Sequence, residues 1–321
     1  MQTERKVQFF GAENADSIYF DILIALIPLT VWGVIAFGWQ VAISAAVSAA
    51  AALAGECIAR FLLKRRRAGG FTSAAVTGLI LPLCLPPQVA PWIIAVGAFF
   101  AVLVFKYLLG EIRFQKLGLK CGDFLSPVAV TWCVLRVLFP QTGEYTKSLV
   151  SEGSAAVENT LAVLKNGEVP SVSVADMLLG RCSGTAGGVC ALLIVFCGIY
   201  LIRQKAINWR IPAAFIGVAA IITLAFPLGV DRIGMMTGNL FSGSLLFGAF
   251  FAACLPGASP LTERGKMIYA AGCGILTVLF RYFGIFLEGV PFALLIMGAL
   301  SPLIDIFCAP RPFGYQKNKR K

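Results

Sequence analysis

Four groups of residues have the types and spacing to do chemistry in this chain. Phe71-Thr72-Ser73-Ala74-Ala75-Val76-Thr77-Gly78 puts hydroxyls at Ser73 and Thr77 on one helix face. They could contact a ligand, since the small residues between them let a flat ring or a backbone approach. The same pattern also serves tight helix packing with internal hydroxyl bonds. Gly180-Arg181-Cys182-Ser183-Gly184-Thr185-Ala186-Gly187-Gly188 opens the sixth apolar stretch, 180–202. A glycine-rich turn opening a helix exposes N–H groups to a phosphate, and Thr185 and Arg181 would add a hydroxyl and a charge. Helix packing is the competing use of those glycines. Glu56 is the deepest acid in the apolar segments and a candidate for an ion path, although Arg60 one turn later can neutralise it. Asp305 is a second intramembrane acid, with an interfacial ion pair to Arg311 as its alternative.

The elements that position these groups belong in lipid. Of 321 residues, 58% are hydrophobic and 13% charged, about half the charge of an ordinary soluble domain. Mean hydropathy is +0.83. Too few polar residues exist to cover a water-soluble surface. This excludes a soluble enzyme, a disordered regulator and a secreted disulfide scaffold. With no histidine, imidazole acid–base chemistry, histidine metal ligation and histidine haem ligation are excluded too. The ten cysteines form no CxxC pair, and most lie in apolar runs as small buried hydrophobes.

Ten apolar stretches are candidate spans: 20–38, 41–63, 71–86, 92–109, 122–139, 180–202, 211–228, 239–255, 267–283 and 290–308. Met1–Asp16 is polar and lacks the apolar core of a cleavable signal, so the first span reads as an anchor. With the N-terminus inside, the inside segments carry 19 basic residues, including Lys64–Arg67, Arg203, Lys205, Arg210 and the tail from Arg311, against 5 outside. The net charge of +11 is therefore read as membrane orientation and not as nucleic-acid binding. Both termini are expected to be cytoplasmic. One outside loop is long, 140–179, and it is acidic.

The chain echoes itself. Phe71-Thr72-Ser73, Gly78 and Cys84-Leu85-Pro86 match Phe241-Ser242-Gly243, Gly248 and Cys254-Leu255-Pro256 at a constant offset of 170. Leu125-Ser126-Pro127 echoes Leu300-Ser301-Pro302. Each half then holds five spans, and an odd number forces the halves to insert upside down relative to one another. Short, Gly/Pro-interrupted spans at matching places mark midplane sites in transport proteins. The expected organisation is an all-α integral membrane protein. A first five-helix repeat spans 1–139, an extracytoplasmic loop 140–179, and a second repeat with a basic tail 180–321.

These segments together resemble RnfD, a membrane component of the Rnf complex. The resemblance runs through Asp21–Pro28, Phe37-Gly38-Trp39, Ser73–Pro87, Gly198–Arg203 and Ile207–Pro212. It continues through Gly243–Ala252, Gly265-Lys266, Glu288–Ala293, Pro302–Asp305 and Arg311–Gly314. The NqrB component of the sodium-translocating NADH:quinone reductase is a relative with a longer N-terminal region. The resemblance implies ten helices in two inverted five-helix repeats, similar to urea transporters. It implies a bacterial inner-membrane subunit that passes electrons between ferredoxin and NAD, coupled to Na+ or H+ translocation, with other membrane and peripheral subunits as partners.

In that family FMN is attached through its phosphate to a threonine in the outer loop. The matching stretch here is Ala156-Val157-Glu158-Asn159-Thr160-Leu161-Ala162-Val163-Leu164-Lys165. Without gaps the acceptor position falls on Asn159, and a one-residue shift makes Thr160 the acceptor. Further departures are Cys254-Leu255 after the eighth span, Gly187-Gly188 near the sixth and Ser126-Pro127 at the fifth. All fall where the family binds flavin or polar groups. The resemblance thus implies FMN, linked through Thr160 or held without that link, and leaves room for a second, non-covalent flavin; Ser73, Thr77 and Thr185 are the further candidate cofactor contacts. The rival reading is a flavin-free subunit that scaffolds its partners or passes a small solute or ion.

Overall fold

The computed structural model describes residues 15–63, 70–108, 113–114, 119–120, 125–140, 159–168, 172–229, 231–257 and 259–308. The basic segments at Arg5-Lys6, Lys64–Arg67 and Arg311–Lys321 lie outside the described residues. So do Glu144, Glu152 and Glu158 of the long loop.

The described residues are mostly helical, with one two-residue antiparallel ladder pairing β1 (Arg113–Phe114) with β2 (Leu119–Lys120). The helices are α1 (Ala15–Phe37), α2 (Trp39–Leu63), α3 (Gly70–Cys84), α4 (Pro91–Phe100, continued by π-helical Ala101–Leu108) and α5 (Pro127–Leu138). Two short ones, α6 (Thr160–Lys165) and α7 (Val174–Leu179), lie in the long loop. Then come α8 (Ala191–Arg203), α9 (Arg210–Ala225), α10 (Arg232–Phe241), α11 (Leu245–Phe247, continued by π-helical Gly248–Ala252), α12 (Glu263–Phe283) and α13 (Val290–Cys308).

Among the described residues, five helices are long and apolar enough to cross a membrane: Asp16–Phe37, Trp39–Leu62, Pro91–Leu108, Glu263–Phe283 and Val290–Cys308. Counting the α10–α11 pair as one bent span gives six. The shorter apolar helices α3, α5, α8 and α9 supply the rest of the bundle. Helix α1 shows why lipid is the solvent. Phe20, Ile24, Ile27, Val31 and Ile35 line an exposed stripe, while Ile22, Ala25, Leu26 and Leu29 are buried. A helix apolar on both faces has one face for protein and one for lipid.

The inner layers pack through small residues. Ser44, Ala45, Ser48, Ala52, Glu56 and Ala59 form the buried face of α2. A Cβ on Gly78 would lie 2.8 Å from Ala49 Cα, and Ser48 Oγ donates to Gly78 O at 2.6 Å. Close backbone approach of this kind supplies the contact that the hydrophobic effect cannot provide inside a bilayer.

Two expectations change. The stretch 180–202 is not one helix, because residues 180–190 are irregular and α8 begins only at Ala191. The stretch 239–255 straddles a 56° break between α10 and α11. That break sits at Gly243, whose φ of +69° lies in the left-handed region where a side chain is disfavoured.

Candidate functional site

A polar cleft of about 130 Å³ opens between the ends of several helices. Its lining includes Tyr19, Ser73, Thr77, Lys106 and Ser126 with Leu255-Pro256. Ser73 bonds with the Tyr19 hydroxyl, and Thr77 Oγ1 donates to Ser73 O at 2.9 Å. Ser126 Oγ is buried with no hydrogen-bond partner among the described residues. The structure therefore brings Ser73 and Thr77 together with Ser126 and Leu255, from the Ser126-Pro127 and Cys254-Leu255 motifs. The space suits a few waters or an ion. It is well below the roughly 300 Å³ at which small-molecule sites begin.

Beside this cleft lies a buried charge cluster. Glu56 is fully buried. Its Oε1 accepts from Arg60 Nε at 3.0 Å and from the Tyr107 hydroxyl at 2.5 Å, and its Oε2 accepts from Lys106 Nζ at 3.0 Å. Lys106 also donates to Gly70 O at 3.2 Å, tying α4 to the start of α3. Arg60 lies over the Phe71 ring at 3.8 Å. Arg60 thus neutralises Glu56 as its spacing allowed, and Lys106 does so as well. Asp305 behaves differently from Glu56. Its carboxylate accepts from Leu261 N, Thr262 N and Thr262 Oγ1, at 2.9, 3.0 and 2.9 Å, so it clamps the start of α12. Arg311, the partner expected for Asp305, lies outside the described residues.

A second buried cluster surrounds the α10–α11 break. Arg281 and Glu288 pair at 2.9 Å with 3% and 0% of their side chains exposed. Arg281 also donates to Asn239 O and to Ser242 O, and Glu288 Oε2 accepts from Ser244 N at 3.1 Å. The pair therefore holds both sides of the break: guanidinium on the carbonyls that α10 leaves open, carboxylate on an N–H that α11 leaves open. By sequence Arg281 sits at the end of the 267–283 stretch, where it counts among the five outside basic residues, with no assigned partner. A signal was present: Phe105-Lys106-Tyr107 and Phe280-Arg281-Tyr282 are 175 positions apart, the same spacing as the two Leu-Ser-Pro motifs.

The glycine-rich segment is tied through its backbone to the end of α3 and the residue after it. Ala186 N donates to Leu85 O at 3.3 Å, Gly187 N to Leu83 O at 2.9 Å, and Gly188 N to Thr185 O and Oγ1, both at 3.1 Å. A Cβ on Gly188 would meet Gly243 O at 2.6 Å. These N–H groups are directed to carbonyls and to Thr185, which is fully buried. Arg181 sits 4.0 Å from Asp176 in an exposed pair. Of the two uses open to this segment, the observed contacts are those of packing.

Thr160 opens α6, with Asn159 as the cap residue making no side-chain cap bond. Thr160 is 2% exposed, and neither its Oγ1 nor Asn159 Oδ1 has a hydrogen-bond partner among the described residues. Leu161 and Leu164 pack with Met235 of α10. Lys165 Nζ donates to Gly284 O at 2.6 Å, just past the end of α12. Leu161 Cδ1 also reaches the break, 2.8 Å from where a Cβ on Gly243 would be. Ser242 Oγ, Ser244 Oγ, Thr277 Oγ1 and Arg281 Nε are likewise buried without partners among the described residues. Buried polar atoms without a partner are uncommon, and these gather around one junction.

Among the described residues, no three histidine, cysteine, aspartate or glutamate side chains gather to hold a metal ion. Cys84, Cys133, Cys182, Cys190, Cys197, Cys254 and Cys273 are buried, whereas Cys57 is exposed on α2.

Lipid-facing apolar helices, a helix broken within the bundle and charges buried in pairs define a polytopic membrane protein. The chain belongs to the NQR2, RnfD, RnfE family, which it matches over residues 3–314. It is similar to the D subunit of the proton-translocating ferredoxin:NAD(+) oxidoreductase complex of Clostridium ljungdahlii, 32% identical over 95% of this chain and 93% of that one. The Na(+)-translocating counterpart from Acetobacterium woodii is 32% identical over 95% and 92%. The D subunit of an ion-translocating oxidoreductase complex from Stutzerimonas stutzeri is 32% identical over 94% and 92%.

Proposed function

We propose that this chain is the D-type membrane subunit of an ion-translocating ferredoxin:NAD oxidoreductase complex and is not catalytic alone. The carrying observation is the colinear similarity to relatives of that description over nearly the whole of both chains. Its partners are the other membrane and peripheral subunits of such a complex. It sits in the bacterial cytoplasmic membrane with both termini cytoplasmic.

In this reading the chain has ten spans in two inverted five-helix repeats. Recurrent packing supports the repeat. Helix α2 packs on α3 and α4 as α9 packs on α10 and α12, and α4 meets α5 as α12 meets α13. The matching helices α1 and α8, α3 and α11, and α5 and α13 touch across the centre. Lys106 and Arg281 each bind carbonyls at or before the third span of their own half.

Thr160 is the residue that would carry FMN through its phosphate. Its unpartnered hydroxyl and the orphaned polar atoms around the α10–α11 break support that placement. A bound flavin supplies one- and two-electron ring chemistry. The chain's own part is to bury the attachment point, pin α6 through Lys165 and present Ser242, Ser244 and Thr277. The cleft at Ser73 and Thr77 is too small for a second flavin as shaped, and it suits water or an ion near Glu56. Thr185 accepts from Gly188 N in the glycine-rich loop that packs on Leu83 and Leu85.

The cleft also favours the second reading, a flavin-free subunit that passes an ion or scaffolds its partners. Intact mass of the chain purified from cells making a flavin transferase separates the two. The first expects the increment of one FMN, absent in Thr160→Val. An unmodified chain that releases no flavin on denaturation supports the second.

A further inference from the structure

We propose that the turn between α8 and α9, with the start of α12, binds one anionic glycerophospholipid. A surface depression of about 450 Å³ is lined there by Lys205, Asn208, Trp209, Arg210, Glu263 and Lys266. Glu263 is bound by Arg210 Nη1 at 2.8 Å, by Lys266 Nζ at 3.1 Å and by Asn208. Among the described residues no ion pair holds Arg203 or Lys205. Three lining cations, Lys205, Arg210 and Lys266, thus face one carboxylate, with exposed Arg203 two residues before Lys205, which leaves the depression positive and complementary to a phosphodiester.

The backbone adds a reason for Lys205. Helix α8 ends with Lys205 N on Ile202 O and Ala206 N on Leu201 O. Lys205 takes φ +57°, the left-handed conformation in which helix ends ordinarily carry glycine. A lysine held there puts its charge at the negative end of the α8 dipole and beside the depression.

The tail has a place as well. Leu192, Val195, Phe196 and Ile199 form an exposed apolar stripe on α8 that runs into exposed Arg203. Trp209, exposed beside the turn, has the amphipathic ring that settles at headgroup depth. A ligand with acyl chains on the stripe and an anionic head at the turn matches both surfaces. A soluble phosphate would leave the stripe unused, and a zwitterionic lipid would leave the excess charge unmatched. The site needs only that the chain spans a bilayer, so it stands apart from the flavin reading.

Native mass spectrometry of the delipidated full chain in detergent, titrated with phosphatidylglycerol and phosphatidylcholine, tests this. Phosphatidylglycerol should bind more tightly. Lys205→Gly suits the backbone and removes the charge, and it should weaken phosphatidylglycerol about fivefold while leaving phosphatidylcholine unchanged. Adding Arg203→Gln, at an exposed position, should bring the loss to about twentyfold. Equal binding of the two lipids overturns the proposal, as does unaltered phosphatidylglycerol binding by the double variant. Displacement of the lipid by millimolar inorganic phosphate alone overturns it in favour of a free-anion site.

Discussion

Lys106 of α4 and Arg281 of α12 hold matching positions in two echoing segments, and each is buried against one glutamate and the backbone near a third helix. Lys106 meets Glu56 and Gly70 O, and Arg281 meets Glu288, Asn239 O and Ser242 O. Burying a pair in this way costs desolvation that the mutual attraction offsets only when both partners remain. Glu56→Gln or Lys106→Met alone should therefore destabilise the chain by about 3–5 kcal/mol. The double variant should lose less than the sum, because neither charge is left stranded. Thermal unfolding in detergent across the four-member cycle measures this, and additive losses would mean that Arg60 and Tyr107 satisfy Glu56 without Lys106.

Gly243 carries the break between α10 and α11 with φ +69°. An added Cβ would stand 2.8 Å from both Glu288 Oε2 and Leu161 Cδ1. Gly243→Ala combines a left-handed backbone, costing about 1–2 kcal/mol by itself, with a displaced ion pair. The expected result is a lower melting temperature and faster proteolysis at residues 160–180, since α6 packs on this point. Limited proteolysis read by mass spectrometry checks it. Gly217→Ala is the control, since nothing lies within 4 Å of the Cβ it would add.

Cysteine reactivity should follow burial. Cys57 is exposed on α2, whereas Cys84, Cys254 and Cys273 are buried in the bundle. Only thiolate exposed to reagent reacts. A small membrane-permeant maleimide should label the Cys57 peptide on the folded chain, and the other three only after denaturation. Peptide mass spectrometry reads the order, and early labelling of Cys84 would mean that the centre of the bundle opens.

Each of the ten apolar stretches read from the sequence contains a helix or part of one, because apolar composition is a property of each stretch alone. The differences arise where distant residues decide. Gly180–Gly188 carries the composition of a helix start, yet its amides go to Leu83 and Leu85, about a hundred positions away. Arg281 reads as an outside basic residue because its partner carbonyls lie some forty residues earlier. Asp305 reads as an intramembrane charge, and its role shows only once Leu261 and Thr262 arrive beside it. Glu56 and Arg60 were legible because i,i+4 spacing is local, whereas Lys106, fifty residues on, was not. The Phe-Lys-Tyr and Phe-Arg-Tyr echo was readable, and would have paired Lys106 with Arg281 by position.

Orientation gives the last prediction. The basic turn at Arg203–Arg210 and the start of α12, with Arg264 and Lys266, lie at one end of the bundle, where Asn208 and Arg210 meet Glu263. Thr160 and Lys165 instead meet α10 and the far end of α12 at Gly284. Helix α12 is 21 residues long, which at about 1.5 Å per residue separates the two ends by about 30 Å, the thickness of a bilayer core. With basic loops retained in the cytoplasm, a cysteine placed at Asn166 in a chain freed of its other reactive thiols should react with an impermeant maleimide added outside intact cells. One placed at Gln204 should react only after the membrane is opened. A green fluorescent protein fused after Lys321 should fluoresce, as it does when folded in the cytoplasm. Labelling of the Gln204 position from outside would invert the molecule and move Thr160 to the cytoplasmic face, away from the outer position proposed for the flavin.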